Sequence, residues 1–418
     1  MRSGAGPFLP ELPRHKLRMS YEVSVIMVQT LRLKPYQGPA LFSYGFRPFF
    51  FLGACDAALA IAVWLPLFEG EIALSTLFAP RDWHVHEMLF GYAPAVITGF
   101  LLTAIPNWTG RLPLQGASLA VLVIAWAAGR GAVAFSAKLG WLTAALIDVG
   151  FLALVVAAAG REIIVGQNWR NLKVLIPVAM LALANAGFHV EAYAFGVADF
   201  AVRAGVMAIL VLLMLIGGRI IPSFTRNWLA RENPGRLPLP SGNFDTFAIA
   251  TSTVALCIWV VTPDGVVPGV TLLAAGILQL FRLAQWAGER TAREWLVLIL
   301  HVAYAFVPLG FVLTSLAAFG ITQPSAGLHA WMAGAVGTMT LAVMTRASLG
   351  HTGHELVAGT GTQTIYAAVV LAGLARVVAS VSPTWGFLLI HVAAFAWIVA
   401  FGGFAILYGP ILFRPRRH

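Results

Sequence analysis

Charge is what this sequence is short of: 11% of its 418 residues are Asp, Glu, Lys or Arg, while 59% are hydrophobic. A soluble domain carries roughly a quarter charged residues, so a water-facing surface of ordinary composition is excluded and the solvent must be largely lipid. Cysteine is nearly absent. Cys55 and Cys257 both lie inside apolar runs, which excludes a disulfide framework and a cysteine-rich zinc site. Nor is a signal peptide expected. Residues 1–40 place Arg14, Lys16, Arg18, Arg32 and Lys34 around an apolar patch at 23–28, shorter than a signal core and without a cleavage site. That segment reads as a cytoplasmic lead-in. The net charge of +10 is not carried by a long basic run on a soluble stretch, so no nucleic-acid partner is expected.

What is present is a succession of apolar stretches, each near the roughly 20 residues needed to cross a bilayer. They recur at 46–68, 84–105, 117–136, 141–160, 173–191, 200–221, 244–262, 267–286, 295–318, 326–346, 362–380 and 386–411. The longest connector, 222–243, is rich in Arg, Asn, Pro and Gly, as a surface loop should be. The expectation is an all-α polytopic membrane protein: a lead-in (1–40), a single twelve-helix domain (41–413) and a basic tail (414–418).

Twelve crossings put both termini on one side, and charge says which. On that side fall 22 of the 27 basic residues; only Arg81, Arg130, Lys138, Arg203 and Arg376 lie opposite or within spans. The positive-inside bias therefore places both termini in the cytoplasm. An internal echo accompanies this topology. Ile105-Pro106-Asn107-Trp108-Thr109 closes the second span, and Ile221-Pro222-Ser223-Phe224-Thr225 closes the sixth, 116 residues later. A looser Val343-Met344-Thr345-Arg346 closes the tenth, which suggests three pseudo-repeated four-helix units.

Topology turns the histidines into depths. His84 and His86 open span 2 at the outer face, His189 lies near the outer end of span 5 and His329 near the outer start of span 10. His391 sits about two turns into span 12. On the inner side His301 lies about 10 Å deep in span 9, at 1.5 Å per residue from Glu294, and His351 and His354 follow span 10. Ionisable groups at such depths are costly and usually functional, and a neutral imidazole is the commonest metal ligand. The outer group is accordingly read as metal-binding, with His391 left to a structural role. In a helix, residues i and i+2 point about 200° apart. Either residues 83–87 are non-helical, or His84 and His86 serve different centres. Glu87 beside them is a candidate proton-relay group, a carboxylate orienting an imidazole, or a first-turn acid favoured by the helix dipole.

Intramembrane acids look sparse: Asp56 in span 1 and Asp148 in span 4, fewer than a proton- or sodium-coupled carrier usually shows. Arg47, Arg219 and Arg346, with Arg111, gather at the cytoplasmic ends. They suit either acidic groups such as haem propionates or the role of topology anchors.

Several motifs resemble the NnrS family. They are Phe42-Ser43-Tyr44-Gly45-Phe46-Arg47-Pro48-Phe49-Phe50, Trp83-His84-Val85-His86-Glu87-Met88-Leu89-Phe90-Gly91, the stretch 99–111, Gly217-Gly218-Arg219-Ile220-Ile221-Pro222, and the stretch 329–353. The resemblance covers about residues 40–412. It implies a haem- and copper-containing protein of the bacterial inner membrane, the haem being of b type, that meets nitric oxide and protects against nitrosative stress. It carries metal-ligand roles over to His84, His86, His189, His301, His329 and His351. The expected partners are nitric oxide, the lipid bilayer and an electron donor that the sequence does not identify. Twelve helices with histidines on spans 2, 5, 9 and 10 are also similar to the haem-copper oxidase subunit, by analogy of fold alone. Reduction of nitric oxide to nitrous oxide at a haem/copper site, with Glu87 nearest as proton source, is the enzymatic expectation. The rivals are a sensor without turnover, a transporter of metal, haem or nitrosyl-iron species, and a factor that loads cofactors into other enzymes.

Overall fold

Helices have to close every backbone hydrogen bond internally where no water is available, and the described part of this chain is built from helices. The computed structural model describes residues 36–417. The basic lead-in up to residue 35, with His15, and the terminal His418 lie outside the described residues. Among the described residues there is no strand. Twelve helices are long and apolar enough to span a bilayer: α1 (Phe46–Phe68), α2 (Pro80–Thr109), α3 (Ala117–Ala134), α4 (Trp141–Val165), α5 (Trp169–Phe195) and α6 (Asp199–Glu232). They continue as α7 (Asn243–Val261), α8 (Val266–Arg290), α9 (Trp295–Ala318), α10 (Pro324–Thr352), α11 (Thr360–Val381) and α12 (Gly386–Leu412). The chain is a multi-pass membrane protein. Large apolar side chains such as Leu59, Leu146, Leu183, Phe395 and Ile406 stand exposed on the bundle exterior, which only lipid makes tolerable.

Burial sorts the helices into layers. In α2, 78% of the apolar window is covered, and 67% in α6, α9 and α10, against 33% in α3, α4 and α7. The inner ring is therefore built from α2, α6, α9 and α10, which carry five of the six histidines singled out above; the sixth, His189, is on α5.

Two inner helices are interrupted alike. In α2 an α-helical start ends at His86, residues 87–92 form a π-helical turn, and α-helix resumes at Ala93. Pro94 lacks the N–H that would close an α-turn on the Phe90 carbonyl, and the wider turn absorbs that loss. In α10 the α-helical start ends at His329 and a π-helical stretch runs over Ala330–Gly337. Here close packing sets the geometry: a Cβ on Gly334 would come 2.3 Å from the Phe306 ring, and one on Gly373 would come 2.9 Å from the Gly334 Cα. The third member of the suggested repeat, α6, runs as unbroken α-helix.

That continuity corrects the expected connector at 222–243. α6 continues through Pro222 to Glu232 because Ile221, Thr225 and Leu229, spaced four apart, form one fully buried stripe. Further out, Arg282 on α8 is 2% exposed and locks four helices together. It donates from Nε to Asp245 Oδ1 (2.8 Å) and from Nη1 to the Met214 carbonyl (3.1 Å) and the Tyr304 hydroxyl (2.6 Å). Gly218 leaves room for it, since a Cβ there would overlap the guanidinium.

Candidate metal centre

Three spans bring nitrogen and oxygen donors to one point near the end of the bundle where α2 begins. His86 closes the first α-helical segment of α2, Asp148 lies on α4, and Asn185 and His189 stand one turn apart on α5. Asp148 Oδ2 is the hub: it lies 3.2 Å from His86 Nε2, 3.1 Å from His189 Nε2, and accepts from Asn185 Nδ2 at 2.8 Å. His86 Nε2 also lies 3.1 Å from Asn185 Oδ1. One ligand atom from each of His86, Asp148 and His189 falls within 4.8 Å of the others, and all three residues are buried. Phe78, Phe90 and Phe188 surround the His86 ring at centroid distances of 5.3, 5.4 and 5.0 Å and keep the cage apolar on its open sides.

A shell of charge stands behind this cage. Arg130 on α3 donates from Nη1 to Glu87 Oε2 at 2.9 Å and from Nη2 to Asp148 Oδ1. Gly91 and Gly129 make the space: a Cβ on Gly91 would come 2.4 Å from Arg130 Nη1, and one on Gly129 would come 2.9 Å from Asp148 Oδ1. Asp56 on α1 is within Coulombic reach of Glu87, Arg130 and His86. Three carboxylates thus face one guanidinium. If all ionise, two negative charges remain uncompensated in the membrane interior, which is prohibitive unless two protons or a divalent cation enter. Orphaned atoms point the same way: Asp56 Oδ2, Glu87 Oε1 and His86 Nδ1 are buried without a hydrogen-bond partner among the described residues. Two imidazoles and a carboxylate, with charge to spare and no thiolate, suit a first-row divalent metal.

A family model described as NnrS protein matches residues 40–416. The chain belongs to the NnrS family. No curated protein matches it. The match spans all twelve helices of this NnrS chain and both ends of the cage.

The remaining sequence candidates do not converge on this point. Pro80–His86 is α-helical, so His84 and His86 diverge. His84 stacks on Trp64 (centroids 4.3 Å apart), its Nδ1 buried without a partner. It shares Coulombic reach with His329 and Arg376, which form a second group on α2, α10 and α11. His329 Nδ1 donates to the Ser325 carbonyl at 2.6 Å, leaving Nε2 as the acceptor nitrogen. His301 lies toward the other end of the bundle, away from the cage. Thr225 Oγ1 donates to the Ile221 carbonyl and so accepts from His301 Nε2 at 2.8 Å, while Nδ1 is buried without a partner beside Gly288. His351 is exposed against Tyr44 and Phe46. His391 pairs with Glu69 at 2.9 Å.

The three arginines assigned to a cofactor are not brought together. Arg47 donates to the Leu412 and Arg414 carbonyls at 2.7 and 2.6 Å, capping the end of α12. Arg219 donates to Asn171 Oδ1 at 3.1 Å, and Arg346 lies 4.1 Å over the Phe224 ring. The intramembrane acids are sparse, as expected, but not scattered: Asp56, Glu87 and Asp148 are gathered in one place. Sequence reasoning missed Asn185, Arg130 and the ligand role of Asp148. The signals were there: Asn185 precedes His189 by one helical turn, and Arg130 is one of the five basic residues that break the charge bias.

Proposed function

We propose that the chain is a haem- and copper-dependent membrane protein that captures nitric oxide at a metal held by His86, Asp148 and His189 and thereby removes it. The single observation that carries this is the buried pair of imidazoles meeting one carboxylate inside an under-compensated charge cluster. By the positive-inside bias, the arginine-rich face is cytoplasmic, and the cage lies toward the periplasmic side of the bacterial inner membrane.

The residues divide the work by their chemistry. His86 and His189 offer neutral nitrogens, and Asp148 a carboxylate oxygen; three protein ligands leave coordination free for a small molecule. Asn185 orients Asp148, and Arg130 holds both Asp148 and Glu87 in place. Copper and haem, when bound, would relay electrons from an external donor and offer an open position for a diatomic ligand. His84 and His329 fit the haem: one nitrogen of each is available in apolar surroundings, and Arg376, which faces no carboxylate among the described residues, can pair with a propionate. Coupling two nitric oxide molecules to nitrous oxide and water takes two electrons and two protons. Glu87, 3.6 Å from His86 Nδ1, and Asp56 behind it are the groups that can hold those protons near the centre.

One observation favours a second function, export of a metal: three clustered intramembrane carboxylates are what a coupled carrier needs. Purified protein in detergent decides between them. Copper and haem retained through purification, with a Soret band that shifts on anaerobic addition of nitric oxide, supports capture. Protein that retains neither cofactor, yet moves copper ions into sealed vesicles, supports export and overturns capture.

A further inference from the structure

The inner ring borders a second feature, half open and with no histidine in its lining. Between α2, α6 and α10 lies a cavity of about 80 Å³. Ala93, Val96 and Phe100 line it from α2, Ile216 from α6, and Met339 and Val343 from α10. Its one hydroxyl, on Thr340, is already spent on the Val336 and Gly337 carbonyls and on the Tyr92 hydroxyl. No free donor or acceptor therefore greets a water molecule, and an apolar cavity of this kind stays dry. An ion is excluded for the same reason. The size admits a diatomic molecule with room to spare. A uncharged diatomic gas, which dissolves in lipid better than in water, has both the volume and the polarity that this space accepts.

Position gives the cavity a use. Ala93 is the first residue after the π-helical turn that carries Glu87, so the cavity begins about 10 Å along α2 from His86, at 1.5 Å per residue. Phe90, whose ring lies 5.4 Å from His86, stands in the intervening turn, and Gly205 of α6 packs against that ring. We infer that this cavity is a binding site for small uncharged diatomic gas molecules taken from the bilayer, and that it supplies them to the metal cage. The supply role rests on the function proposed above; the binding role does not.

Xenon is the probe, because it reports an apolar cavity without needing any metal. Full-length protein crystallised in lipid is pressurised with xenon, and the same is done for Ile216→Phe and Val343→Phe, whose larger side chains grow into the space. Both positions are only partly buried, and two variants guard against one that fails to fold. A xenon peak among α2, α6 and α10 in the wild type, lost in the filled variants, is expected. A cavity without xenon, or one filled by an acyl chain, overturns the site. Stopped-flow capture of nitric oxide by cofactor-loaded protein then reads the supply role. Slower capture in the filled variants at unchanged metal content supports it, and an unchanged rate overturns it. Xenon binding in protein that holds no metal would leave the gas site standing and sink the metal-capture function instead.

Discussion

His84 and His86 stand two residues apart in one short helical segment and face different surroundings: His84 stacks on Trp64, while His86 meets Asp148 and His189. Helical geometry forces this divergence, since neighbours two apart point to opposite sides. His86→Ala is therefore expected to abolish the metal of the cage and leave the haem spectrum intact. His84→Ala should do the reverse. Metal analysis and a reduced-minus-oxidised optical spectrum on both variants check this, and loss of both cofactors in both variants would argue for one shared centre.

Asp148 carries the heaviest load of any side chain in the cage, because Arg130, Asn185, His86 and His189 all depend on it. Asp148→Asn leaves Arg130 buried with one carboxylate fewer, and breaking a buried pair from one side typically costs about 3–5 kcal/mol. The double variant Asp148→Asn/Arg130→Gln is expected to be less destabilised than the sum of the two single changes, because the partners share one interaction. Thermal or denaturant unfolding in detergent measures it. Strict additivity would show that the pair is not coupled.

Gly91 tests the supporting charge without touching a ligand. An added Cβ would meet Arg130 Nη1 at 2.4 Å and Glu87 Oε2 at 3.1 Å, so Gly91→Ala must push the guanidinium away from its carboxylates. Disturbing groups that orient ligands typically lowers metal affinity about 10–100-fold. Competition with a chelator is expected to show that loss in Gly91→Ala and not in Gly131→Ala, where the added carbon meets nothing within 4 Å.

The number, order and approximate bounds of the spans were legible because lipid imposes one rule on every residue of a span, and local composition records it. α1 and α9 match their sequence-derived bounds to the residue. α6 does not, because its last eleven residues are polar enough to read as a loop and are held helical by the Ile221–Thr225–Leu229 stripe against the rest of the bundle. The site was legible in pieces only. His86 and His189 lie 103 positions apart, and nothing local says that they meet each other rather than His84 or His329. Asp148 looked like an isolated acid for the same reason: its partners come from α2, α3 and α5. The better guide was the set of basic residues that break the charge bias. Arg130 binds the cage and Arg376 stands by the second histidine group, whereas Arg81 pairs with Asp199 and Arg203 donates to the Val260 carbonyl.

Arg47 separates anchoring from cofactor binding. Its guanidinium donates to two carbonyls at the end of α12, and hydrogen bonds to a charged group are worth about 1.5–3 kcal/mol each. Arg47→Ala is expected to lower the unfolding midpoint while copper and haem content stay at the wild-type level. Selective loss of haem at unchanged stability would return Arg47 to the cofactor.

The most direct measurement is metal content per chain, by mass spectrometry of the purified wild type beside Asp148→Asn, His189→Ala and Arg47→Ala. About one equivalent of copper in the wild type and in Arg47→Ala, and little in the other two, is expected if His86, Asp148 and His189 hold the metal. A folded wild type without copper, or full copper in both Asp148→Asn and His189→Ala, would contradict the cage as the metal centre.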